Sequence, residues 1–213
     1  MSLTLPNIFN AGDFAAGCNI YINEHGAVRA KVEALAEYAR HLLPLSDAAH
    51  AERDAAHAQR NAVEAMGQEL RTAYQGSGSA AKFRAILGAT TSEERNAIAD
   101  SLASDSARIN VLFSAVEHHD GYIGPKLAIA AQRQEVALLG ALADMHAWNA
   151  VCVGIERAIA AQSLAKADGQ VAYPAQGGKT NAAIKVAVEA RGHVHGAEET
   201  LRSMERQFQE PRG

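Results

Sequence analysis

The feature that most constrains how this chain can fold is the long stretch 124–169, which no strong helix breaker interrupts. Pro125 stands where a helix's first turn tolerates a missing N–H, and Asp168-Gly169 supplies a stop. Gly140 and Gly154 are the only weak points between them. A helix of this length is roughly 60 Å long at 1.5 Å per residue, twice the diameter of a small domain. The sequence therefore predicts an elongated protein organised around one very long central helix.

One face of this predicted helix repeats with the spacing of a coiled coil. Its members alternate at spacings of four and three, which keeps one stripe turned toward a neighbouring helix. They are Leu127, Ala131, Gln134, Leu138, Ala141, Met145, Trp148, Cys152, Ile155 and Ile159. We therefore expect long helical neighbours and coiled-coil-like packing. Polar residues such as Asp144 and Glu156 interrupt the richest apolar run, so a membrane-spanning helix is possible but not favoured.

The composition fits an all-α protein with thin, closely packed helices. Hydrophobic residues make up 48% of the 213-residue chain and aromatic residues only 5%, and much of the apolar content is alanine. The net charge is −4 and no basic block is present, which disfavours nucleic-acid binding. The first residues lack a basic segment followed by an apolar run, so no signal peptide is expected. We expect a cytoplasmic protein, or one assembled in the cytoplasm into a particle.

The first 26 residues are the least helical by pattern. Cys18, Ile20 and Ile22 alternate with polar residues in a period of two, which is typical of a strand. The sequence predicts an extended N-terminal arm, residues 1–26, that ends in this short strand. Ile20 and Ile22 are its predicted interaction residues. The strand could pair with Val171 to Tyr173 or with another copy, and the arm could equally fold along its own bundle.

Residues 27–208 are predicted to form the helical bundle, and residues 209–213 a frayed tail. One helix is expected over 27–43 and a second over about 47–75. A capping box at Thr91 to Glu94 begins a third, and the next is expected to stop at Asp120-Gly121. Thr180 is the expected cap of the last helix.

The second of these helices contains an internal seven-residue repeat. The segment Asp47 to Arg53 recurs as Asp54 to Arg60, and more loosely as Asn61 to Gly67. The repeat places six alanines on one stripe, which lets two helices approach closely. These are the predicted interaction residues Ala48, Ala51, Ala55, Ala58, Ala62 and Ala65. Whether this stripe packs within the chain or between chains stays open.

No motif in the chain predicts a catalytic, cofactor or metal site. The Gly-Gly-Lys179-Thr180 segment lacks the earlier glycine of a phosphate-binding loop, because Tyr173 occupies that position. The nine histidines are not spaced as ligands of one ion on a helix. Their densest group, Glu117 to Asp120, is better interpreted as a solvated helix end. We therefore expect no catalytic residues, no cofactor and no metal.

The leading functional hypothesis is a non-enzymatic structural or assembly protein. It would act as a homo-oligomer or as one subunit of a larger complex, such as a phage virion or a secretion apparatus. The alternatives are a membrane-interacting or pore-forming helical protein, and a helical-bundle enzyme that uses a metal or cofactor. The hypothesis rests on the heptad stripes, the low aromatic content and the predicted arm.

Overall fold

A computed structural model describes residues 3–76, 91–94, 96–97, 100, 110, 113–168 and 178–208, and in these ranges the chain is all-α, as predicted. Five long helices carry the fold. They are α1 (Ala11–His25), α2 (Ala27–Leu42), α3 (Asp47–Gly76), α4 (Gly124–Asp168) and α5 (Gly178–Gln207). A short 3-10 turn, Leu43–Leu45, follows α2, and a π-helix, His119–Ile123, precedes α4.

The prediction of a strand over Cys18 to Ile22 is wrong, because these residues belong to α1. Asn10 caps this helix: its side-chain oxygen accepts hydrogen bonds from Gly12 N at 2.9 Å and from Asp13 N at 3.2 Å. Phe14, Cys18 and Ile22 are buried and recur every four residues, so the helical period, not the period of two, matches the core.

The chain divides into two compact units, and the first comprises Met1–Arg53 and Gln132–Leu201. In its core, side chains of α1 pack with Trp148, Val151 and Ile155 of α4. Gly154 permits the close approach of α1, since a Cβ atom there would lie 2.8 Å from Cys18 Sγ. Leu3 and Ile8, which precede α1, are buried in the same core. The N-terminal segment therefore packs within its own unit.

Ion pairs connect α4 to three other helices of the first unit. Glu135 pairs with Arg53 of α3 at 3.8 Å, and Glu156 with Lys31 of α2 at 2.9 Å. Asp144 pairs with Arg191 of α5. These are all the acidic residues of α4 from 124 to 163, and each has a basic partner on a different helix. Partly or largely exposed pairs of this kind contribute little net stability.

The predicted heptad stripe of α4 is buried in part. Ala131, Leu138, Trp148 and Ile155 are buried, whereas Gln134 is exposed. Alanines outside that stripe, at 143, 147, 150 and 158, are also fully buried. This part of α4 therefore packs on more than one face, which a single stripe does not describe.

The second unit comprises Asp54–Ala131 and Arg202–Gly213, and its main feature is the π-helix. The prediction that a helix stops at Asp120-Gly121 is wrong: residues 113–118, the π-helix and α4 form one helical run. Gly124 N donates to His119 O, five residues earlier. Pro125 follows directly and has no N–H to offer, so the widened turn accommodates its ring without ending the helix.

Two predicted helix starts have different outcomes in the structure. The capping box is confirmed, because Thr91 Oγ1 accepts from Glu94 N at 3.2 Å and Glu94 Oε2 accepts from Thr91 N at 3.3 Å. Helix α5 begins at Gly178, so Thr180 lies within its first turn and is not its cap. The predicted strand partner at 171–173, the frayed tail 209–213 and most of the predicted helix after Thr91 lie outside the described residues.

Candidate functional site

Helix α2 turns its large apolar side chains outward. Its buried residues are small or charged, namely Ala30, Ala34 and Glu37. The outward stripe follows the heptad spacing of four and three, and its large members are 45–80% exposed. We call this stripe the α2 ridge; it consists of Val28, Val32, Leu35, Ala39 and Leu42. A heptad stripe that faces solvent is a surface suited to packing against another helix.

Helix α2 turns its small face toward the core of the first unit. Ala30 and Ala34 have no exposed surface and belong to the core cluster that contains Trp148 of α4. Lys31 bonds Glu156 at 2.9 Å, and His41 Nδ1 lies 3.8 Å from Asp144 Oδ2. Because Ala30 and Ala34 face the core, the ridge points away from it.

The predicted alanine stripe of α3 is also exposed. All six of its members lie on the outer face of the helix: Ala48, Ala51, Ala55, Ala58, Ala62 and Ala65. The neighbouring stripe, Ala49, Ala56, Val63 and Leu70, is half-buried, and Gly67 is buried. We call the six exposed residues the α3 alanine stripe. It is not used for packing within the described part of the chain.

The two predicted interaction residues of the N-terminal segment point in different directions. Ile22 is 5% exposed and belongs to the core of the first unit, whereas Ile20 is 50% exposed. Residues two apart on a helix lie on nearly opposite sides, so α1 cannot present both to one partner. Only Ile20 is on a surface where another molecule could contact it.

A buried histidine marks the contact between α3 and the π-helix in the second unit. His119 lies against the backbone of Gly67, where a Cβ atom would be 2.1 Å from its Cε1. Its Nε2 bonds Val63 O at 2.8 Å, and its Nδ1 bonds Asp120 Oδ1 at 2.8 Å. The two bonds connect the ring to both α3 and the π-helix.

Asp120 also bonds Arg71 Nη1 at 2.5 Å. The hydrogen bond from His119, together with that from Arg71, lowers the pKa of Asp120 below its usual value. The sequence predicts a solvated helix end for the cluster Glu117 to Asp120, whereas His119 is buried in the structure. A signal for this irregular turn is Pro125, four residues after Gly121, because a proline inside a continuing helix distorts the preceding turn.

A cavity of about 300 Å³ adjoins this cluster. Its charged lining residues are Arg60, Glu64, Arg71, His119 and Asp120. Asp120 bonds both Arg71 and His119, so these bonds hold the π-helix against α3. Within the described residues no three His, Cys, Asp or Glu side chains are grouped closely enough to hold a metal ion.

The two cysteines are poorly placed for nucleophilic chemistry. Burial raises the pKa of the Cys18 thiol to about 12 and that of Cys152 to about 11. Nucleophilic cysteines have lowered pKa values, because the thiolate is the reactive form. Both thiols instead behave as small apolar groups beside the core.

The helical run from Phe113 to Ser163 is long and apolar enough to cross a membrane by length and composition alone. Its most apolar 18-residue window has a mean hydropathy of 1.4, and 28% of that window is buried. Core helices of soluble proteins meet the same criterion. Comparison with known proteins adds no assignment, since no family model, curated protein or solved structure matches this chain.

Proposed function

We propose that this chain is a non-enzymatic structural or assembly protein that works as one of several copies in a larger complex, such as a phage virion or a secretion apparatus. The observation that carries the proposal is the α2 ridge. It combines heptad spacing with large apolar side chains that the described chain leaves exposed, while small residues fill the inner face of the same helix. Coiled-coil-like packing around α4 is part of this proposal.

The size of the ridge indicates a weak, concentration-dependent contact. The ridge is roughly 21 Å long and one helix wide. A single helix pair of this length buries less than the roughly 1,600 Å² of a standard stable interface. One such contact therefore holds two copies only loosely, and a complex with several contacts per copy is held more firmly.

The proposal is tested by sedimentation velocity on the wild-type chain and on two glutamate variants. Leu35→Glu places a charge in the ridge, and Val186→Glu places one on α5 at a matched exposure, 43% against 45%. We expect the wild type and Val186→Glu to form larger species as concentration rises, and Leu35→Glu to stay monomeric. A wild-type chain that is monomeric at every concentration would contradict the proposal, and a Leu35→Glu variant that assembles normally would contradict the role of the ridge in it.

A second candidate function is membrane interaction, which the apolar run within Phe113–Ser163 favours. In this case the faces of residues 136–161 would turn outward and insert as an oligomer. Leakage of dye from phospholipid vesicles separates the two functions. Release at micromolar protein supports insertion, whereas intact vesicles together with protein oligomers support assembly in solution.

A further inference from the structure

The side chains that flank the α2 ridge and the α3 alanine stripe have opposite charge. The flanking positions of the ridge hold Arg29 and Lys31, and no acidic residue; the full set is Arg29, Lys31, Ala36, Tyr38 and Leu43. Those of the stripe hold three exposed acidic residues and no basic one; the set is Asp47, Glu52, Asp54, Gln59, Asn61 and Met66. Charges at these positions select the partner and orientation of packed helices.

The two surfaces also match in size. The ridge presents valine and leucine side chains, and the stripe presents only methyl groups, so large side chains can enter the space that the alanines leave. The ridge spans Val28 to Leu42 and the stripe Ala48 to Ala65, which corresponds to roughly 21 Å and 26 Å of helix. Two heptads of one surface therefore fit along the other.

We propose that the α2 ridge of one copy docks on the α3 alanine stripe of a second copy. Both surfaces are exposed in the same chain, so neither covers the other within one molecule. A symmetric contact between two ridges would bring no opposite charges together, because its flanking positions hold only basic ones. This inference rests on the proposed assembly function and identifies the two surfaces that carry it.

The existing bonds of the basic residues do not oppose the contact. Arg29 bonds Glu33 at 2.7 Å, and Lys31 bonds Glu156 at 2.9 Å. Both cations are largely exposed, with side chains 62% and 47% accessible. Ion pairs at such positions contribute little and exchange partners readily.

The proposed contact is heterologous, since it joins two different surfaces. Each copy carries one ridge and one stripe, so a copy that is bound through one surface can bind a further copy through the other. Contacts of this kind form a closed ring when the rotation closes and an open helical filament when it does not. The predicted product is therefore a closed assembly, a reciprocal dimer included, or a filament.

The proposal is tested by mixing two full-length variants that are each blocked on one surface. Leu35→Glu blocks the ridge, and Ala58→Arg blocks the stripe with bulk and with a charge that repels Arg29 and Lys31. The controls carry the same new residues at exposed positions on α5, Val186→Glu and Ala182→Arg. Circular dichroism verifies that all four are folded before light scattering gives their masses.

We expect each blocked variant alone to be monomeric and both controls to assemble as the wild type does. An equimolar mixture of the blocked variants has one intact ridge–stripe pair, so its mass should rise with concentration toward twice 22.5 kDa and no further. Assembly of Ala58→Arg alone, or a mixture that remains monomeric, would overturn the proposed contact. If the wild type assembles and neither variant affects it, this inference fails while assembly stands; if the wild type never assembles, both fail.

Discussion

Replacing Gly67 by alanine tests the contact between α3 and the π-helix most sharply. In an exposed helix this change stabilises by about 1 kcal/mol. Here the new Cβ would lie 2.1 Å from His119 Cε1, and an ordinary carbon contact is about 3.5 Å. The ring would have to move by roughly 1.4 Å, which is enough to break its bonds to Val63 O and Asp120, both 2.8 Å long.

The expected cost follows from these losses. The bond to the neutral Val63 carbonyl contributes about 1 kcal/mol and the bond to the Asp120 carboxylate about 1.5–3 kcal/mol, while the helix preference of alanine offsets about 1 kcal/mol. We therefore expect Gly67→Ala to lower the free energy of unfolding by about 1–3 kcal/mol. Equilibrium urea denaturation followed by circular dichroism measures this change.

A double-mutant cycle with His119→Ala identifies the cause. The three atoms nearest to a Cβ at Gly67 all belong to the imidazole ring, so without that ring we expect Gly67→Ala to stabilise by up to about 1 kcal/mol. The sign of its effect should thus reverse between the two backgrounds. An equal cost in both, or a stabilising effect in the wild type, would refute the packing of His119 on Gly67.

Three further predictions concern other groups. Gly154→Ala should destabilise the protein by about 1–2 kcal/mol through contact with buried α1 side chains, whereas Gly140→Ala, which has open space around its Cβ, should stabilise it; thermal melts compare them. Because its pKa is lowered on folding, Asp120 stabilises the protein above the pKa of an unfolded aspartate, about 3.9, and loses that effect as the pH falls through its folded value. Asp120→Asn should therefore be less stable than wild type at neutral pH, with the difference shrinking toward pH 3 in urea titrations, and a constant difference would contradict this. Cys18 and Cys152, with pKa values raised to about 12 and about 11, should react with a thiol reagent at pH 8 far more slowly in the folded than in the urea-unfolded protein.

Local signals predicted well where neighbouring residues alone decide the structure. The Thr91–Glu94 capping box is confirmed, because a cap acts within one turn. The segment 124–168 is helical as predicted, but Pro125 does not begin the helical run, which extends back through the π-helix to residue 113. In α1 the local signals competed, since Cys18 and Ile22 belong to an alternating pattern and to a helical one. The Asn10 cap favours the helix, and it was overlooked.

The sequence of α2 alone does not predict which of its two apolar faces is buried. Ala30 and Ala34 form one apolar face, and Val28, Val32 and Leu35 form another. Hydrophobicity alone favours burying the larger set. The choice depends on residues of α4 more than 100 positions away, such as Glu156, which no local pattern reveals.

The seven-residue repeat left the surroundings of the α3 alanine stripe open. The repeat predicts which residues share a face, and it cannot show whether that face is covered. In the described chain it is exposed, and the adjoining stripe with Val63 and Leu70 packs instead. An exposed stripe favours contacts between copies over packing within one chain.

We have proposed that exposed helix faces of this protein join copies of it. Light scattering gives the mass of the purified wild-type chain directly, and a hundredfold range of concentration reveals weak association. The proposed assembly predicts a mass that rises with concentration above the 22.5 kDa of one chain. A mass that stays at 22.5 kDa over the whole range would contradict it.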